Sequence, residues 1–345
     1  MRQPRRDALA LGLRAGDWVV VRSKEEILST LDERGCLEGL PFQPEMLSYC
    51  GRRLRVFKAA HKTCDTINKT GGRRMRNAVH LEGARCDGDS HGGCQADCVF
   101  FWKEAWLMRA DEPSSGLDAS HPVPEICTEE ALRRATRAPG EESSANPTWV
   151  CQTTKLFEAT EPLKWWDVRQ YIRDVTSRNH SAWHMLKLLG FGMFRAVLKR
   201  GIAYRALLAL YNGFQKLRGG RPYPLSGGFI PRGESTPHQT LDLQPGEWIE
   251  VKSPDEIRAT LNVAGFNRGM WFDQEMVRYC GGRYQVQMRI DRLIDERTGK
   301  MLQMKYPCVQ LEDVYCRATC TAMRLGCPRA TNTYWREIWL KRLSD

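Results

Sequence analysis

The chain has 345 residues, of which 42% are hydrophobic, 27% charged and 9% aromatic, a composition that is typical of folded proteins and excludes collagen-like, coiled-coil and low-complexity chains. Lys and Arg (52) outnumber Asp and Glu (41), and the net charge of +11 favours an anionic partner without deciding between nucleic acid, lipid headgroup and acidic metabolite. The sequence shows no secretory hydrophobic segment and no uncharged run long enough for a transmembrane helix, so we expect a cytoplasmic protein.

Two segments of the chain resemble each other. Leu13–Cys86 aligns with Leu243–Cys316 without a gap, and about a third of the aligned pairs are identical. After a difference of about three residues, the copies realign at the Trp-Lys-Glu-Ala-Trp-Leu and Trp-Arg-Glu-Ile-Trp-Leu motifs, which begin at Trp102 and Trp335. The repeat predicts two domains of about 100 residues each, at 1–110 and 243–345.

Each predicted domain opens in the same way. Residues 16–23 and 246–253 alternate in hydrophobicity, as a half-buried strand does, after a glycine turn. Ser23 and Ser253 each stand three residues before a glutamate, the spacing of a capping box at the start of a short helix. A hairpin follows, and in the second copy its turn is predicted at 295–300, where a glycine supplies the positive φ.

The opening strand carries a short resemblance. The pattern Leu-x-x-Gly-Asp/Glu-x-Val-x-Val, which starts at Leu13 and, with Ile249 in place of the first valine, at Leu243, resembles the start of KOW- and Tudor-like small barrels. It covers about ten residues in each copy. The expected fold is therefore α+β, with two tandem small β-barrel or β-roll domains that are related by an internal repeat and joined by a helical segment.

The segments between the copies differ in composition. Residues 111–148 are rich in Pro, Ser, Glu and Ala, which predicts a flexible linker with one helical turn near 129–136. Residues 149–217 are predicted to form a helical connector of two or three helices, and 218–242 a Gly/Pro-rich linker. The apolar and basic residues of the connector are typical both of helices that pack between domains and of helices that contact a membrane surface.

Cysteines carry the clearest chemistry. The 13 cysteines are poorly explained as disulfides in a cytoplasmic protein, so some of them are expected to bind metal. Cys86 aligns with Cys316, and Cys94 aligns with Cys327 when both are counted back from the tryptophan motif. The predicted metal ligands are Cys64, Cys86, Cys94, Cys98 and His61 in the first copy, and Cys308, Cys316, Cys320 and Cys327 in the second.

The nature of the metal stays open at this point. The spacings differ from the short Cys-x-x-Cys pairs of zinc ribbons, and they are compatible with zinc, with an iron–sulfur cluster or with buried thiols that bind nothing. The Gly/Asp-rich loop between Cys86 and Cys94 is expected to be flexible enough to wrap an ion. Cys36, Cys127 and Cys151 have no counterpart in the other copy and are expected to be incidental.

Two further groups of residues suggest chemistry. His61, His80 and His91 surround the first cysteine group, which makes the first copy the better candidate for acid–base catalysis, although no catalytic residue is assigned. The predicted hairpin of the first copy is strongly basic, and Arg73, Arg74 and Arg76 are the predicted anion-binding residues.

The expected function follows from these groups. The sequence predicts a metal-binding protein, with zinc or an iron–sulfur cluster, that has an enzymatic or accessory role in modifying a small anionic molecule, for example in biosynthesis. The alternative is a nucleic-acid-associated module with structural metal sites, and peripheral membrane contact is a further option. Walker, dinucleotide-binding, nucleophile-elbow and zincin motifs are missing from the sequence.

Overall fold

The structure is a computed structural model that describes residues 10–68, 70–111, 127–199, 201, 204–220, 222–320 and 325–343. The described residues form two compact units. The first unit falls within Met1–Met185, Arg292–Leu302 and Cys327–Arg329, and the second within Leu186–Asp291, Gln303–Gly326 and Ala330–Asp345.

The secondary structure mixes helices with antiparallel sheets, as the α+β prediction requires. The helices are α1 (Lys24–Ser29), α2 (Glu129–Arg134), α3 (Arg169–Thr176), α4 (Ala182–Lys199), α5 (Tyr204–Leu217) and α6 (Pro254–Ala259). The strands up to the connector are β1 (Trp18–Val21), β2 (Cys36–Leu37), β3 (Leu40–Pro41), β4 (Arg53–Ala59), β5 (Lys62–Cys64), β6 (Gly72–Arg74), β7 (Ala78–Leu81), β8 (Trp102–Lys103), β9 (Leu107–Arg109) and β10 (Glu161–Leu163). The later strands are β11 (Trp248–Val251), β12 (Phe266–Asn267), β13 (Met270–Trp271), β14 (Arg283–Arg289), β15 (Arg292–Ile294), β16 (Met301–Gln303), β17 (Cys308–Tyr315), β18 (Asn332–Arg336) and β19 (Leu340–Arg342).

The main sheet of the first unit is a half-barrel. Its strand order is β8-β7-β4-β1-β9, so β8 and β9 are its two edges. These edge strands are joined by a single 3-10 turn at Glu104–Trp106. So short a connection can join the two edges only if the sheet curls. The concave side holds the core, in which Trp102 and Trp106 are fully buried and meet the Phe42 ring edge to face.

Local signals fix the ends of the short helices. Ser23 and Glu26 form the predicted capping box at the start of α1, and Ser253 and Glu256 form it at the start of α6. Within the predicted 111–148 linker, α2 occupies the place of the expected helical turn, and its Leu132 is buried in the core of the first unit. Residues 112–126 of that linker lie outside the described residues.

A second, three-stranded sheet with the order β10-β6-β5 lies in the first unit. The sequence predicts a helical connector over 149–217, but Pro162 lies in β10 and α3 begins only at Arg169. Proline has no N–H to donate, and β10 is an edge strand, where that loss is tolerated. β10 thereby covers β6, with Pro162 opposite Arg73 and Glu161 opposite Arg74.

The main sheet of the second unit has the order β18-β17-β14-β11-β19. Its two edge strands are likewise joined by a 3-10 turn, Glu337–Trp339, and Trp335 and Trp339 are fully buried in its core. The predicted hairpin with its turn at 295–300 corresponds to β14 and β17, and it is interrupted because β15 and β16 form a separate pair at its tip. The tip residues Arg292–Leu302 belong to the first unit.

The connector is helical only in its later part. Residues 149–160 form turns, whereas α4 and α5 fill most of the remaining segment. Among the described residues, none of the helices has the length and hydropathy that crossing a bilayer requires.

Candidate functional site

Three potential metal ligands meet in the first unit. Glu45 lies in the 3-10 turn Pro44–Tyr49, Cys86 follows β7, and His91 ends the 3-10 turn Asp89–His91. One carboxylate oxygen of Glu45, the Cys86 Sγ and one ring nitrogen of His91 all lie within 4.8 Å of one another. Carboxylate, thiolate and imidazole are the three ligand types that zinc takes in proteins.

His91 is held from both sides of its ring. Its Nδ1 lies 2.6 Å from Glu45 Oε1, and its Nε2 lies 3.1 Å from the carbonyl oxygen of Val150. Because the carbonyl can only accept, Nε2 carries a proton and donates it to Val150. This is the arrangement that fixes a metal-binding histidine, since it leaves Nδ1 for the metal, or for a second proton that Nδ1 donates to Glu45.

Glu45 has one engaged and one unengaged oxygen. Oε1 accepts hydrogen bonds from His91 and from the backbone N–H of Ser90, the latter at 3.0 Å. Oε2 is buried and has no hydrogen-bond partner among the described residues. Burial favours the protonated carboxyl, but the hydrogen bond and charge of His91 outweigh it and lower the pKa of Glu45. The result is a charged carboxylate with one oxygen unsatisfied, a donor that suits a cation.

The third ligand, Cys86, is a half-buried thiol. The side-chain amide of Gln43 donates to its Sγ at 3.5 Å. Burial raises the pKa of Cys86, and the nearby charges of Glu45 and Cys98 raise it further, so without a cation the thiol stays protonated. A bound metal ion would reverse this balance, because a coordinating thiol is deprotonated outright.

Backbone hydrogen bonds define the shape of the loop that carries His91. The carbonyl of Gly88 accepts hydrogen bonds from the N–H groups of His91 and Gly93, at 2.9 and 3.0 Å. Gly88 has φ +76°, and a Cβ there would lie 2.0 Å from the carbonyl oxygen of Cys94. Gly88 therefore permits a tight turn that a residue with a Cβ could not adopt without moving the backbone.

Three more thiols lie in the same region. Cys94 accepts a hydrogen bond from the backbone N–H of Ile294 at 3.3 Å, and the backbone carbonyl of Cys98 accepts one from Cys86 N–H at 2.9 Å. Burial raises the pKa of both Cys94 and Cys98, and a charge on Cys151 would raise both further. Cys151, expected from the sequence to be incidental, thus lies within electrostatic range of Cys86, Cys94 and Cys98.

Cys64 has a different partner from the one expected. It is buried in β5, and its side chain hydrogen-bonds with Cys327, one of the residues assigned by sequence to the second copy. That hydrogen bond, together with the charge of the buried Arg329, lowers the pKa of Cys327 to about 6. Arg329 in turn donates to Glu296 at 2.7 Å. These residues form a paired-thiol site apart from the Glu45, Cys86 and His91 triad.

The remaining predicted ligands of the second copy lie in the second unit. Cys308 is buried in β17, and burial raises its pKa to about 12. Burial and the charge of Glu275 raise the pKa of Cys320 to about 11, and its backbone N–H donates to that carboxylate. Cys316 is half-buried, and its N–H donates to the carbonyl of Thr331 at 2.8 Å. The described residues of this unit form no triad like that of the first.

The predicted anion-binding arginines separate into two roles. Arg73 is buried and donates through Nε to Thr160 Oγ1 at 2.6 Å and through Nη2 to the carbonyls of Thr160 and Phe157. Arg74 and Arg76 pair instead with Asp167 and Glu161. Neighbouring strand residues point to opposite faces, so Arg73 supports the fold while Arg74 faces a cleft that it shares with Arg76.

His61, predicted as a metal ligand, lines the same cleft. Its Nε2 lies 3.2 Å from Asp174 Oδ1 and 3.3 Å from the carbonyl oxygen of Gln170. The described structure places it with these two residues of α3 and not with the Glu45 triad.

Sequence reasoning assigned no role to several of these residues. Glu45 has a counterpart, Glu275, in the aligned segment, and this recurrence of a buried glutamate was the one available signal. For His91 the sequence suggests only acid–base chemistry, and Asp174 lies in no recognisable local motif. The chain matches no known protein family, and no curated protein and no solved structure shows significant similarity to it.

Proposed function

We propose that the protein binds a metal ion, with zinc as the leading candidate, through Glu45, Cys86 and His91. One observation carries the proposal: three different ligand groups converge within 4.8 Å, and the histidine among them is held by a backbone carbonyl. Tetrahedral zinc separates its ligand atoms by about 3.5 Å, so a modest rearrangement of these side chains suffices. The ion would replace the proton between His91 and Glu45.

The donor set favours zinc over an iron–sulfur cluster. Clusters are held by cysteine thiolates, whereas the triad offers one sulfur, one nitrogen and one oxygen. An iron–sulfur cluster is the alternative that metal analysis must exclude, because the thiols of Cys94, Cys98 and Cys151 lie nearby.

The chemistry would depend on the fourth ligand. Three protein ligands leave one position of a tetrahedral ion for water or substrate, the arrangement of catalytic zinc sites. Such an ion polarises a bound oxygen, which is the work that we propose for it in the enzymatic or accessory modification of a small anionic molecule. The charge of +11 on the chain supports an anionic partner.

We also infer that the two five-stranded sheets arose from one ancestral domain. Their strands follow the same order. Val19 faces Leu54 in one sheet, and Ile249 faces Tyr284 at the aligned positions of the other. Glu104 and Glu337, in the two matching 3-10 turns, each accept the backbone N–H of an aligned leucine, at 3.2 and 3.0 Å. Under this inference, the first copy is the only one in which, among the described residues, a histidine (His91) contacts the aligned glutamate (Glu45).

Metal analysis of the purified full chain tests the proposal. We expect about one zinc per chain, held in a site where cobalt(II) gives a thiolate charge-transfer band. Cys86→Ser and His91→Gln should each lose the metal and the band. The matched control is Cys50→Ser, because Cys50, like Cys86, is half-buried and packs against the hydrophobic core but does not belong to the triad.

Three results would contradict this assignment. The first is metal-free protein of full stability, and the second is equal loss of metal in Cys50→Ser and Cys86→Ser. The third is a brown, iron-containing protein, which would replace zinc with a cluster.

A further inference from the structure

The first unit contains a cleft of about 350 Å³ that is lined mainly by cationic and polar groups. One wall comes from Arg74, Arg76 and Asn77 at the end of β6 and just after it, and the other comes from the start of α3. The remaining lining residues are His61, Met75, Leu163, Arg169, Gln170 and Arg173. No carboxylate occurs among the described residues that line it.

The helical spacing of α3 accounts for the second wall. Arg169 and Arg173 are four residues apart, so they share one face of the helix, and both are exposed. Gln170 and Asp174 are also four residues apart but are buried, and they face His61. One helix thus presents arginines to the cleft and anchors a histidine behind them.

The charges around the cleft do not balance. Asp167 Oδ2 forms ion pairs with Arg74 Nη2 at 2.6 Å and with Arg169 Nη2 at 2.8 Å. Glu161 holds Arg76 at 2.9 Å, while Arg173 has no ion pair within the described parts of the chain. Four guanidinium groups against these two carboxylates leave two positive charges in the lining. The lysine and carboxylate behind them, Lys62 and Asp174, neutralise each other.

His61 supplies an independent sign of a ligand. Its side chain is 97% buried, since only 3% of it is exposed, and both neighbours of Nε2 are hydrogen-bond acceptors, so Nε2 carries a proton. Its Nδ1 is buried and finds no hydrogen-bond partner in the described structure. Buried polar groups are seldom left unsatisfied, and where one occurs beside a cationic cleft, a bound group is a physical explanation for it.

We propose that this cleft binds a small molecule through a phosphate monoester group, with Arg76 and Arg173 as the main contacts and His61 Nδ1 as a further hydrogen-bonding group. A phosphate monoester carries between one and a half and two negative charges near neutral pH, which matches the two positive charges that the lining holds in excess. A guanidinium group can donate two parallel hydrogen bonds to two phosphate oxygens. The volume of the cleft leaves room for a small organic group beside the phosphate.

A nucleic-acid backbone matches the cleft less well. Each phosphodiester carries a single charge, and backbone binding usually follows an extended surface track rather than a single cleft. Of the proposed function, the inference uses only the statement that the anionic partner is a small molecule. None of the proposed metal ligands lines the cleft.

Calorimetric titration of the full chain tests the proposal, with inorganic phosphate, methyl phosphate and glucose 6-phosphate as probes. We expect saturable binding of the two esters that weakens at least tenfold in Arg173→Ala and in Arg76→Ala. Both side chains are exposed, so both variants should fold. Arg134→Ala is the matched control, since Arg134 is an exposed arginine on α2. The ¹⁵N shift of His61 Nδ1 should move on addition of ester, a response that a purely structural histidine would not give.

Several outcomes would overturn it. These are no saturable binding of any phosphate probe, equal weakening in Arg134→Ala and Arg173→Ala, or tight binding of a single-stranded oligonucleotide by a chain that ignores the esters. Cys86→Ser separates the two proposals, because it should lose metal and keep ester binding. Loss of ester binding in a folded Cys86→Ser protein would move the phosphate to the metal centre and refute the cleft.

Discussion

Replacement of Gly88 by alanine tests how the metal-binding loop is built. Gly88 has φ +76°, and its added Cβ would lie 2.0 Å from the carbonyl oxygen of Cys94 and 2.8 Å from the Cys94 amide nitrogen. These atoms belong to the backbone, so the loop itself must move by more than 1 Å to reach an ordinary van der Waals contact of 3.4 Å or more. That movement would break the hydrogen bonds from His91 and Gly93 to the Gly88 carbonyl.

The expected cost can be estimated from these parts. A non-glycine residue with left-handed φ costs about 1 kcal/mol, and each backbone hydrogen bond that is lost costs about 1 kcal/mol more. Gly88→Ala should therefore lower the free energy of unfolding by about 3 kcal/mol. Gly83→Ala is the control, because Gly83 has φ +70° but nothing lies within 4 Å of its Cβ position, so the left-handed term of about 1 kcal/mol acts alone.

Urea unfolding with equal m-values would measure the difference, and zinc titration would follow the site. Since Gly88 lies between Cys86 and His91, its substitution should weaken metal binding by at least tenfold, while Gly83→Ala leaves it unchanged. Equal costs for the two variants would refute the claim that the close approach of Cys94, rather than φ alone, shapes the loop.

Three further predictions concern stability. Burial lowers the pKa of His80 from 6.5 to about 4, so its contribution to the free energy of unfolding is fully present above pH 6.5. About 3 kcal/mol of that free energy is lost as the pH falls towards 4, which urea unfolding across this range would measure. Burial raises the pKa of Cys308 from 9.0 to about 12, so its contribution is present below pH 9 and up to about 4 kcal/mol is lost as the pH rises towards 12, measurable in the same way. Arg73→Ala should cost about 2–4 kcal/mol at pH 7, because it removes the buried hydrogen bonds to Thr160, whereas Arg76→Ala should change the unfolding free energy by less than about 0.5 kcal/mol.

The aligned copy supplies controls for the two pH predictions. Gln310 aligns with His80, so His80→Gln gives the first copy the residue that the second copy has at this position. Ala78 aligns with Cys308, so Cys308→Ala gives the second copy the residue that the first copy has. His80→Gln should flatten the acid slope, and an unchanged slope would assign it to other groups. A Cys308→Ala protein that loses stability above pH 9 as steeply as the parent would remove Cys308 as the cause. Equal costs for Arg73→Ala and Arg76→Ala would show that burial of Arg73 adds nothing.

Local features of the fold could be predicted from the sequence. The capping boxes at Ser23 and Ser253 form as expected, and so does the helical turn that became α2, because each depends on residues within one turn of one another. The mixture of helices and antiparallel sheets was also predicted. Pro162 shows the limit, since only pairing with β6 made its segment a strand.

The candidate site depended on contacts that no local pattern encodes. Glu45 and His91 are 46 residues apart in the chain, and they meet because two separate 3-10 turns pack together. His61 joined Asp174 of α3 instead of the cysteines, because β5 brings it to that helix. The amino-acid sequence alone was enough to identify the chemical groups that the protein contains and the residues at which several short elements begin. The tertiary structure decided which groups meet, because burial and side-chain pairing are set by elements far apart in the chain.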